Sequence, residues 1–343
     1  MATSLLSRYP WVSSPFVVSA PMKVMSGPAL AVAVSRAGGL GFIGPGAKTQ
    51  DTSNDLEKAS LLIHQAASTV PTTPGSTLPV GIGYQLWGDD INVAVAAIEK
   101  HKPCAAWLYA PRQGPREYDD WSSKIRQVSP DTQIWIQIGT LKEAKELLQN
   151  RERPDVVVVQ GAESGGHGRA KDGMGLMALF PEIADAMAGS QIHLFAAGGI
   201  ADGRGVAAAL CLGASGVVMG TRFLAASEAR ISRGYQDEVV RAVDGATSTT
   251  RTLLGTFGWP EEYSPRTIFN KSFVEQQEGK SFEELKKLHD EAVKMGDKGW
   301  GPEGRLATYA GASVGLIHDV KAAEDIVYDI REDALERIQK LCP

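Results

Sequence analysis

Short apolar runs alternate along the chain with longer segments in which apolar residues recur at helical spacing. Eight runs predict strands, at residues 16–20, 40–44, 79–84, 104–109, 133–138, 155–160, 192–197 and 216–220. Seven segments between them predict helices, at residues 28–37, 54–68, 89–100, 116–128, 140–150, 175–188 and 203–212. Each helical segment is long enough to carry the chain over between two parallel strands.

The most apolar strand, VVVV at 156–159, indicates a sheet that is covered on both faces, as in parallel sheets flanked by helices. Eight consecutive strand–helix units within about 220 residues predict a (β/α)8 TIM barrel, which we assign to residues 1–222. An open, doubly wound sheet is the alternative. The fold class is α/β in both cases.

The pattern changes after the eighth strand. Residues 223–305 are rich in charged residues at helical spacing, as in SFEELKKLHDEAVKMGDKGW, and show no strand signal. We expect them to form a helical lid subdomain that is inserted over one face of the barrel. Residues 306–343 predict a loop and a final amphipathic helix, which we expect to pack back on the barrel.

Composition narrows the range of partners. The chain has 343 residues, of which 43% are apolar and 22% charged, and its net charge is −5. Lysines and arginines never run beyond two in a row, which argues against nucleic acid and membrane surfaces as partners. The three cysteines have no metal-ligand spacing. No signal peptide and no run of roughly 18 apolar residues is evident, so we expect a cytoplasmic protein.

In a barrel of this kind the active site lies at the carboxyl ends of the strands. The residues at or just after the ends of the predicted strands are Ala20 to Met22, Gly83 to Gln85, Gln137 and Gly139, Gln160 to His167, Ala197 to Gly199, and Gly220 with Thr221.

Two neighbouring strand ends predict an anion site. AAGGIADGRG at 196–205 presents Gly198 and Gly199 just before a helix, which Asp202 is expected to cap. VMGT, which comprises Val218, Met219, Gly220 and Thr221, offers backbone N–H groups and a hydroxyl at the next strand end. The loops after strands seven and eight are the usual phosphate site of such barrels. A tight turn is the alternative for either loop alone, but together they predict a ligand that carries a phosphate.

With these loops, the sequence resembles the nitronate monooxygenases, formerly called 2-nitropropane dioxygenases. The matching segments are SAPM (19–22), VSRAGGLGFIG (34–44), QGAESGGHG (160–168), AAGGIADGRGVAAAL (196–210) and GVVMGTRFLA (216–225). The resemblance implies a (β/α)8 barrel with an inserted helical subdomain, FMN bound without a covalent link, and oxidation of alkyl nitronates by O2 to a carbonyl compound and nitrite. Nitroalkanes are a further substrate class.

The resemblance also implies roles for single residues. Gly199 and the segment from Val218 to Thr221 would hold the FMN phosphate, and Gln160 and Gly165 would lie at the flavin. Pro21 and Met22, which follow Ala20, would lie under its ring, with Gln137 as an additional contact.

His167 would be the active-site histidine by its position in the motif. An imidazole that titrates near neutrality can remove the proton beside a nitro group or orient a nitronate anion. We expect the flanking Gly165, Gly166 and Gly168 to leave space for flavin and substrate. Glu163 is either a hydrogen-bond partner of His167 or a solvated loop carboxylate. Tyr84, Tyr109, Trp87 and Tyr309 either line an apolar substrate pocket or pack in the core.

Two departures from the family pattern bear on the substrate. Many members have asparagine after the third strand, where this chain has Gly83, and Ala312–Ser313 stand where relatives often carry glutamine or glycine. The same motifs occur in FMN-dependent enoyl reductases and NAD(P)H:quinone reductases, so a reductase is one alternative function. An oxidase or oxygenase of a secondary-metabolite pathway is another. A flavin-binding module without activity is a third interpretation. The oligomeric state stays open, a homodimer included.

Overall fold

Eight parallel strands pair side by side in chain order and close into a barrel. They are Val17–Ser19, Leu40–Ile43, Leu78–Gln85, Pro103–Tyr109, Gln133–Ile138, Val156–Gln160, His193–Ala197 and Gly216–Met219, called here the first to eighth barrel strands. The first pairs with the eighth, with Val18 opposite Val218. The computed structural model describes residues 5–65, 70, 77–169, 172–244, 246–249 and 258–341. The predicted barrel is confirmed, and the open sheet is wrong.

The seven predicted helices connect these strands. They are Pro28–Arg36, Thr49–Gln65, Ile91–His101, Arg116–Val128, Leu141–Leu147, Leu176–Ala186 and Gly203–Cys211. The second begins five residues earlier than predicted, and residues 66–68 of the prediction lie outside the described residues. Side-chain caps fix several starts, because Asp90, Thr140 and Asp202 each accept hydrogen bonds from backbone N–H groups of the first turn. The predicted capping role of Asp202 is therefore confirmed.

The helix Ala323–Leu341 packs beside both Gly203–Cys211 and Pro28–Arg36, so it lies between the last and the first helix of the ring. The approach is close: a Cβ on Gly203 would lie 2.4 Å from the backbone nitrogen of Ala334. The Arg331 guanidinium donates to the carbonyl oxygens of Ala37 and Gly38 at 3.0 and 2.9 Å. The C-terminal helix thus serves as the eighth helix of the barrel.

Aromatic side chains fill the barrel interior. Trp107 and Trp135 stack with ring centroids 5.9 Å apart, and Phe195 lies 4.7 Å from Trp135. Tyr9 closes the amino-terminal end, where its hydroxyl accepts a hydrogen bond from the indole N–H of Trp135 at 2.9 Å. Fully burying a side chain of this kind contributes roughly 1.5–3 kcal/mol, so the interior is a packed core that supports the site above it.

The chain between the eighth barrel strand and the C-terminal helix contains strands as well as helices. In its described part, the α-helices are Thr221–Leu224, Arg233–Arg241, Lys271–Gln277 and Phe282–Val293, the 3-10 helices are Gly296–Gly299 and Ala312–Leu316, and the strands are Thr247–Thr249 and Tyr263–Ile268. Tyr263–Ile268 pairs antiparallel with Thr247–Thr249 on one side and with Gly166–Arg169 on the other. We call this three-stranded unit the cap sheet. The expectation of a purely helical segment is therefore wrong. The sequence did not indicate the strand Tyr263–Ile268 because Pro265 interrupts it, and proline is rare inside strands.

No helix in the described ranges is long and apolar enough to cross a membrane.

Candidate active site

A cavity of about 500 Å³ opens at the carboxyl ends of the barrel strands. Most of the predicted site residues line it: Ala20, Pro21, Met22, Gln137, Gln160, Gly165, Gly166, His167, Gly198, Gly199, Val218, Gly220, Thr221 and Tyr309. Its volume lies within the range of roughly 300–1,000 Å³ that is usual for cofactor and ligand pockets. The barrel thus brings the predicted residues together at one place.

Two predicted residues do not line the cavity. Successive side chains of a strand point to opposite faces, so Val218 faces the barrel interior while Met219, 1% exposed, packs among the surrounding helices. Tyr84 is also 1% exposed and packs against Trp121 with ring centroids 5.5 Å apart. The expectation that Tyr84 lines a substrate pocket is corrected, and the Met219 side chain faces away from the site.

Backbone N–H groups that follow the seventh and eighth barrel strands line the cavity. Gly198 and Gly199 have φ angles of 97° and 72°, which favour glycine because side chains are strained there. The N–H groups of Gly199, Gly220 and Thr221 donate to no protein acceptor within the described residues. The Thr221 hydroxyl accepts a hydrogen bond from the N–H of Gly311 at 3.0 Å and keeps its own proton to donate. These groups form a set of donors suited to an anion.

The glycines around His167 also have reasons within the protein itself. A Cβ on Gly165 would lie 2.5 Å from the backbone of Ala310 and Gly311, whereas Gly166 has open space but a φ of 71°. A Cβ on Gly168 would lie 3.2 Å from the side-chain oxygen atoms of Gln160 and Ser164. The fold therefore favours glycine at Gly165 for a close backbone crossing and at Gly166 for a turn. That the three glycines also leave room for flavin and substrate stays a prediction.

Glu163 does not contact His167. Its carboxylate oxygens accept the N–H of Leu176 at 2.9 and 3.0 Å, and they thereby satisfy the amino-terminal end of the helix Leu176–Ala186. Neither of its two predicted interpretations describes it, because the carboxylate is a helix cap.

The imidazole of His167 is enclosed by aromatic rings. The indole of Trp259 lies parallel to it, with ring centroids 3.9 Å apart and an interplanar angle of 3°, and Tyr309 lies 6.0 Å away. The Tyr109 hydroxyl donates to the backbone carbonyl of His167 at 2.7 Å. The Nε2 atom is buried and has no hydrogen-bond partner among the residues described.

Burial, together with the smaller effect of the positive charge of Lys23, lowers the pKa of His167 to about 4. Both effects disfavour the imidazolium form. The imidazole is therefore neutral at neutral pH and available to accept a proton.

Gly83, the departure from the family pattern, is explained by Pro21. A Cβ on Gly83 would lie 2.4 Å from the Cβ of Pro21, so the proline ring occupies the space next to this position. At the other departure, Ser313 lines the cavity, and the N–H of Ala312 donates to the carbonyl of Glu163 at 2.8 Å.

Several cavity residues were not singled out from the sequence. Lys23 directly follows the SAPM segment, and Trp107 lies inside the fourth barrel strand, where its indole N–H donates to the side-chain oxygen of Gln137 at 3.1 Å. Alternate side chains of that strand face the barrel interior, and this alternation could have identified Trp107 from the sequence. Trp259 belongs to the long insertion and has no such signal. Of the four aromatic candidates, Tyr109, Trp87 and Tyr309 line the cavity.

Comparison with known proteins places this site in a family. The family model described as "Nitronate monooxygenase" matches residues 10–65 and 123–333. The chain is 57% identical over 336 residues to nitronate monooxygenase npaC of Metarhizium robertsii, which covers 96% of this chain and 94% of the relative. It is 34% identical over 364 residues to a nitronate monooxygenase of Neurospora crassa, with 99% and 94% coverage. Among solved structures, FabK of Thermotoga maritima superimposes with a TM-score of 0.73 at 28% identity and covers 99% of this chain and 98% of its own. The chain belongs to the nitronate monooxygenase family.

Proposed function

We propose that this enzyme binds FMN without a covalent link and oxidises alkyl nitronates with O2 to a carbonyl compound and nitrite. The observation that supports this most directly is that His167 shares one cavity with the N–H groups of Gly199, Gly220 and Thr221, which have no acceptor in the described part of the chain. The imidazole of His167 can accept a proton from carbon, and the three N–H groups can bind an anion. Together they match the requirements of a flavin reaction on a nitro compound.

The donor chemistry of the cavity fits FMN. Gly199, Gly220 and Thr221 would hold the phosphate, because backbone N–H groups beside a strand end bind such anions without a charged side chain. The side-chain oxygen of Gln137 is already bonded to Trp107, while its amide nitrogen has no partner within the described ranges, so that nitrogen would donate to the edge of the flavin ring. Ala20, Pro21 and Met22 would form the apolar support of the ring.

When bound, FMN supplies the electron transfer between the substrate and O2. The residues of this chain bind the substrate and control its proton. For a neutral nitroalkane, the neutral imidazole of His167 accepts the proton from the carbon beside the nitro group. For a nitronate, which has already lost that proton, the same imidazole only orients the anion. Tyr109, Trp259 and Tyr309 surround it and exclude water from the reacting atoms.

The experiment that tests this proposal is anaerobic mixing of the flavin-loaded protein with ethylnitronate in one cell and with NADH or NADPH in another. We expect the visible flavin band to bleach with ethylnitronate, and nitrite to form once air is admitted. Bleaching by the nicotinamide alone, with no nitrite from the nitronate in air, would instead identify a reductase.

The identity of the cofactor has its own test. Heat or acid denaturation of the yellow protein should release all of the flavin into the supernatant, where mass spectrometry should identify FMN. A flavin that stays with the denatured chain, or protein that is colourless and takes up no added FMN, contradicts the proposal.

A further inference from the structure

Among the aromatic rings of the described residues, the indole of Trp259 lies closest to His167. The two rings lie parallel within 3° at a centroid distance of 3.9 Å, a separation at which nearly the whole face of the imidazole is in van der Waals contact. Stacked aromatic pairs contribute beyond the area that they bury. The contact therefore restrains the plane of the imidazole.

The indole is itself held in place by other residues. Its ring centroid lies 5.2 Å from that of Trp87, 6.0 Å from that of Tyr109 and 5.9 Å from that of Tyr263. The guanidinium of Arg112 donates to the carbonyl of the preceding Gly258 at 3.0 Å. Trp259 is thus fixed to the loops that follow the third and fourth barrel strands and to the cap sheet.

The imidazole of His167 lacks the usual restraint. A catalytic base is ordinarily oriented by a hydrogen bond from a third group. Here Nε2 is buried without a partner among the described residues, and the Tyr109 hydroxyl bonds the backbone carbonyl rather than the ring. Glu163, the nearest carboxylate in sequence, caps a helix instead. Within the described residues, the stacked indole is the contact that sets the direction of the ring.

We propose that Trp259 is the positioning residue of His167: it holds the imidazole plane in the orientation for proton abstraction and keeps water from its face. The inference rests on the proposed function of His167 as a base and deepens it. Substrates that must lose a proton, the neutral nitroalkanes, depend on this orientation. Nitronates do not.

Titratable groups of the described residues face His167 from other elements: Lys23 after the first barrel strand, Tyr109 from the fourth, and Tyr309 from the closing loop. Because burial is the main cause that lowers the pKa of His167 to about 4, opening its face to water raises that pKa toward 6.5. The titration of His167 therefore reports on the indole independently of turnover.

The kinetic test uses Trp259→Leu, Trp259→Phe, His167→Asn and the double variant Trp259→Leu/His167→Asn, with nitroethane and ethylnitronate as the two substrates. We expect Trp259→Leu to lower kcat/KM for nitroethane roughly 3- to 10-fold. The kcat/KM for ethylnitronate should stay within about 2-fold of the wild-type value. Trp259→Phe should restore most of the loss. The double variant should be no slower than His167→Asn alone, because the indole acts through the imidazole.

A matched control is Trp300→Leu, which removes the same volume from a tryptophan of the same insertion that packs on Tyr235 instead. Trp300→Leu should not change the ratio of kcat/KM for nitroethane to kcat/KM for ethylnitronate. Equal slowing of both substrates by Trp259→Leu, or losses that add to those of His167→Asn, would show that Trp259 only supports the fold and would overturn the proposal.

The second measurement is the titration of His167 by NMR in FMN-loaded protein with 15N-labelled histidine. Trp259→Leu should raise the pKa of His167 by at least about one unit, and Trp300→Leu should leave it unchanged. An unchanged pKa in Trp259→Leu contradicts the proposal. If the wild-type protein converted neither substrate, the proposed function would fail, and the titration would still decide whether the indole covers the imidazole.

Discussion

The hydroxyl group of Tyr109, at the end of the fourth barrel strand, donates a hydrogen bond to the backbone carbonyl of His167 at 2.7 Å. It joins the rigid barrel to the cap sheet strand Gly166–Arg169 at the residue that carries the chemistry. Burial raises the pKa of Tyr109 well above its usual value, so the hydroxyl stays protonated and keeps donating.

Replacing Tyr109 by phenylalanine removes that bond and retains the ring. A hydrogen bond of this kind contributes about 0.5–1.5 kcal/mol net, so we expect kcat/KM for nitroethane to fall roughly 2- to 10-fold. Steady-state kinetics at constant FMN occupancy measure this. Tyr118→Phe is the control, because the hydroxyl of Tyr118 is buried without a partner in the described part of the chain; a similar loss there would show that the bond is not the cause.

His167→Asn should retain bound FMN and slow turnover of neutral nitroalkanes by about 10²–10⁴-fold, which is the usual contribution of a general base. Ethylnitronate, which has no proton to lose, should be affected far less. The ratio of the two kcat/KM values measures the effect. Unchanged turnover of nitroethane removes the assignment of His167 as the base.

In the wild-type enzyme, kcat/KM for nitroethane should vary with pH in proportion to the fraction of His167 in the neutral form. Because the pKa of His167 is lowered to about 4, kcat/KM for nitroethane should fall only as the pH approaches that value, and it should be constant above pH 6.5. An acid limb at or above the ordinary histidine pKa of about 6.5 contradicts a buried imidazole.

Lys23→Met should move that acid limb to higher pH. The lysine charge disfavours the imidazolium and thereby lowers the pKa of His167; its removal raises the pKa, so protonation of the base begins at a higher pH. The profile of Lys23→Arg, which keeps the charge, should match that of the wild type. A shift to lower pH in Lys23→Met has the wrong sign for this electrostatic effect.

Gly199→Val combined with Thr221→Ala should reduce FMN retention, measured as flavin absorbance per protein after gel filtration. Valine is strained at the φ of 72°, and its side chain would crowd Glu163, while alanine removes the Thr221 hydroxyl. Gly213→Val is the matched control, since Gly213 has a φ of 98° with open space around it. A double variant that stays fully loaded contradicts the phosphate placement.

Gly83→Ala should destabilise the protein by roughly 1–3 kcal/mol, as overpacking does, because the added Cβ would meet the Cβ of Pro21 at 2.4 Å. Thermal unfolding should show a lower Tm. Gly88→Ala, where an added Cβ meets no atom of the described residues within 4 Å, should leave Tm nearly unchanged. Equal Tm values for the two variants would indicate that Pro21 moves away freely.

The barrel was predictable because its strands are continuous apolar runs that the connecting helices must cover on both faces. The cap sheet was not, because Pro265 breaks the pattern of its middle strand and the partner strand Gly166–Arg169 is half glycine. A local sequence reading does not detect a strand that forms only through pairing with a segment about 100 residues away in the chain.

Among the site residues, the positions at the strand ends were predictable and the directions of the side chains were less so. Alternation along the strand separates Val218 from Met219 and Trp107 from its neighbours, so these assignments were within reach of the sequence. Trp259 was not, since its place beside His167 depends on how the insertion folds back across the barrel.

The strand Gly166–Arg169 belongs to two units at once, since it follows the sixth barrel strand and also forms one edge of the cap sheet. Exchanging the insertion between homologues to alter substrate preference would therefore disturb the base as well. Chimaeras of this enzyme should therefore exchange the insertion and the strand Gly166–Arg169 together. Natural divergence in the insertion is expected to be accompanied by compensating change in that strand.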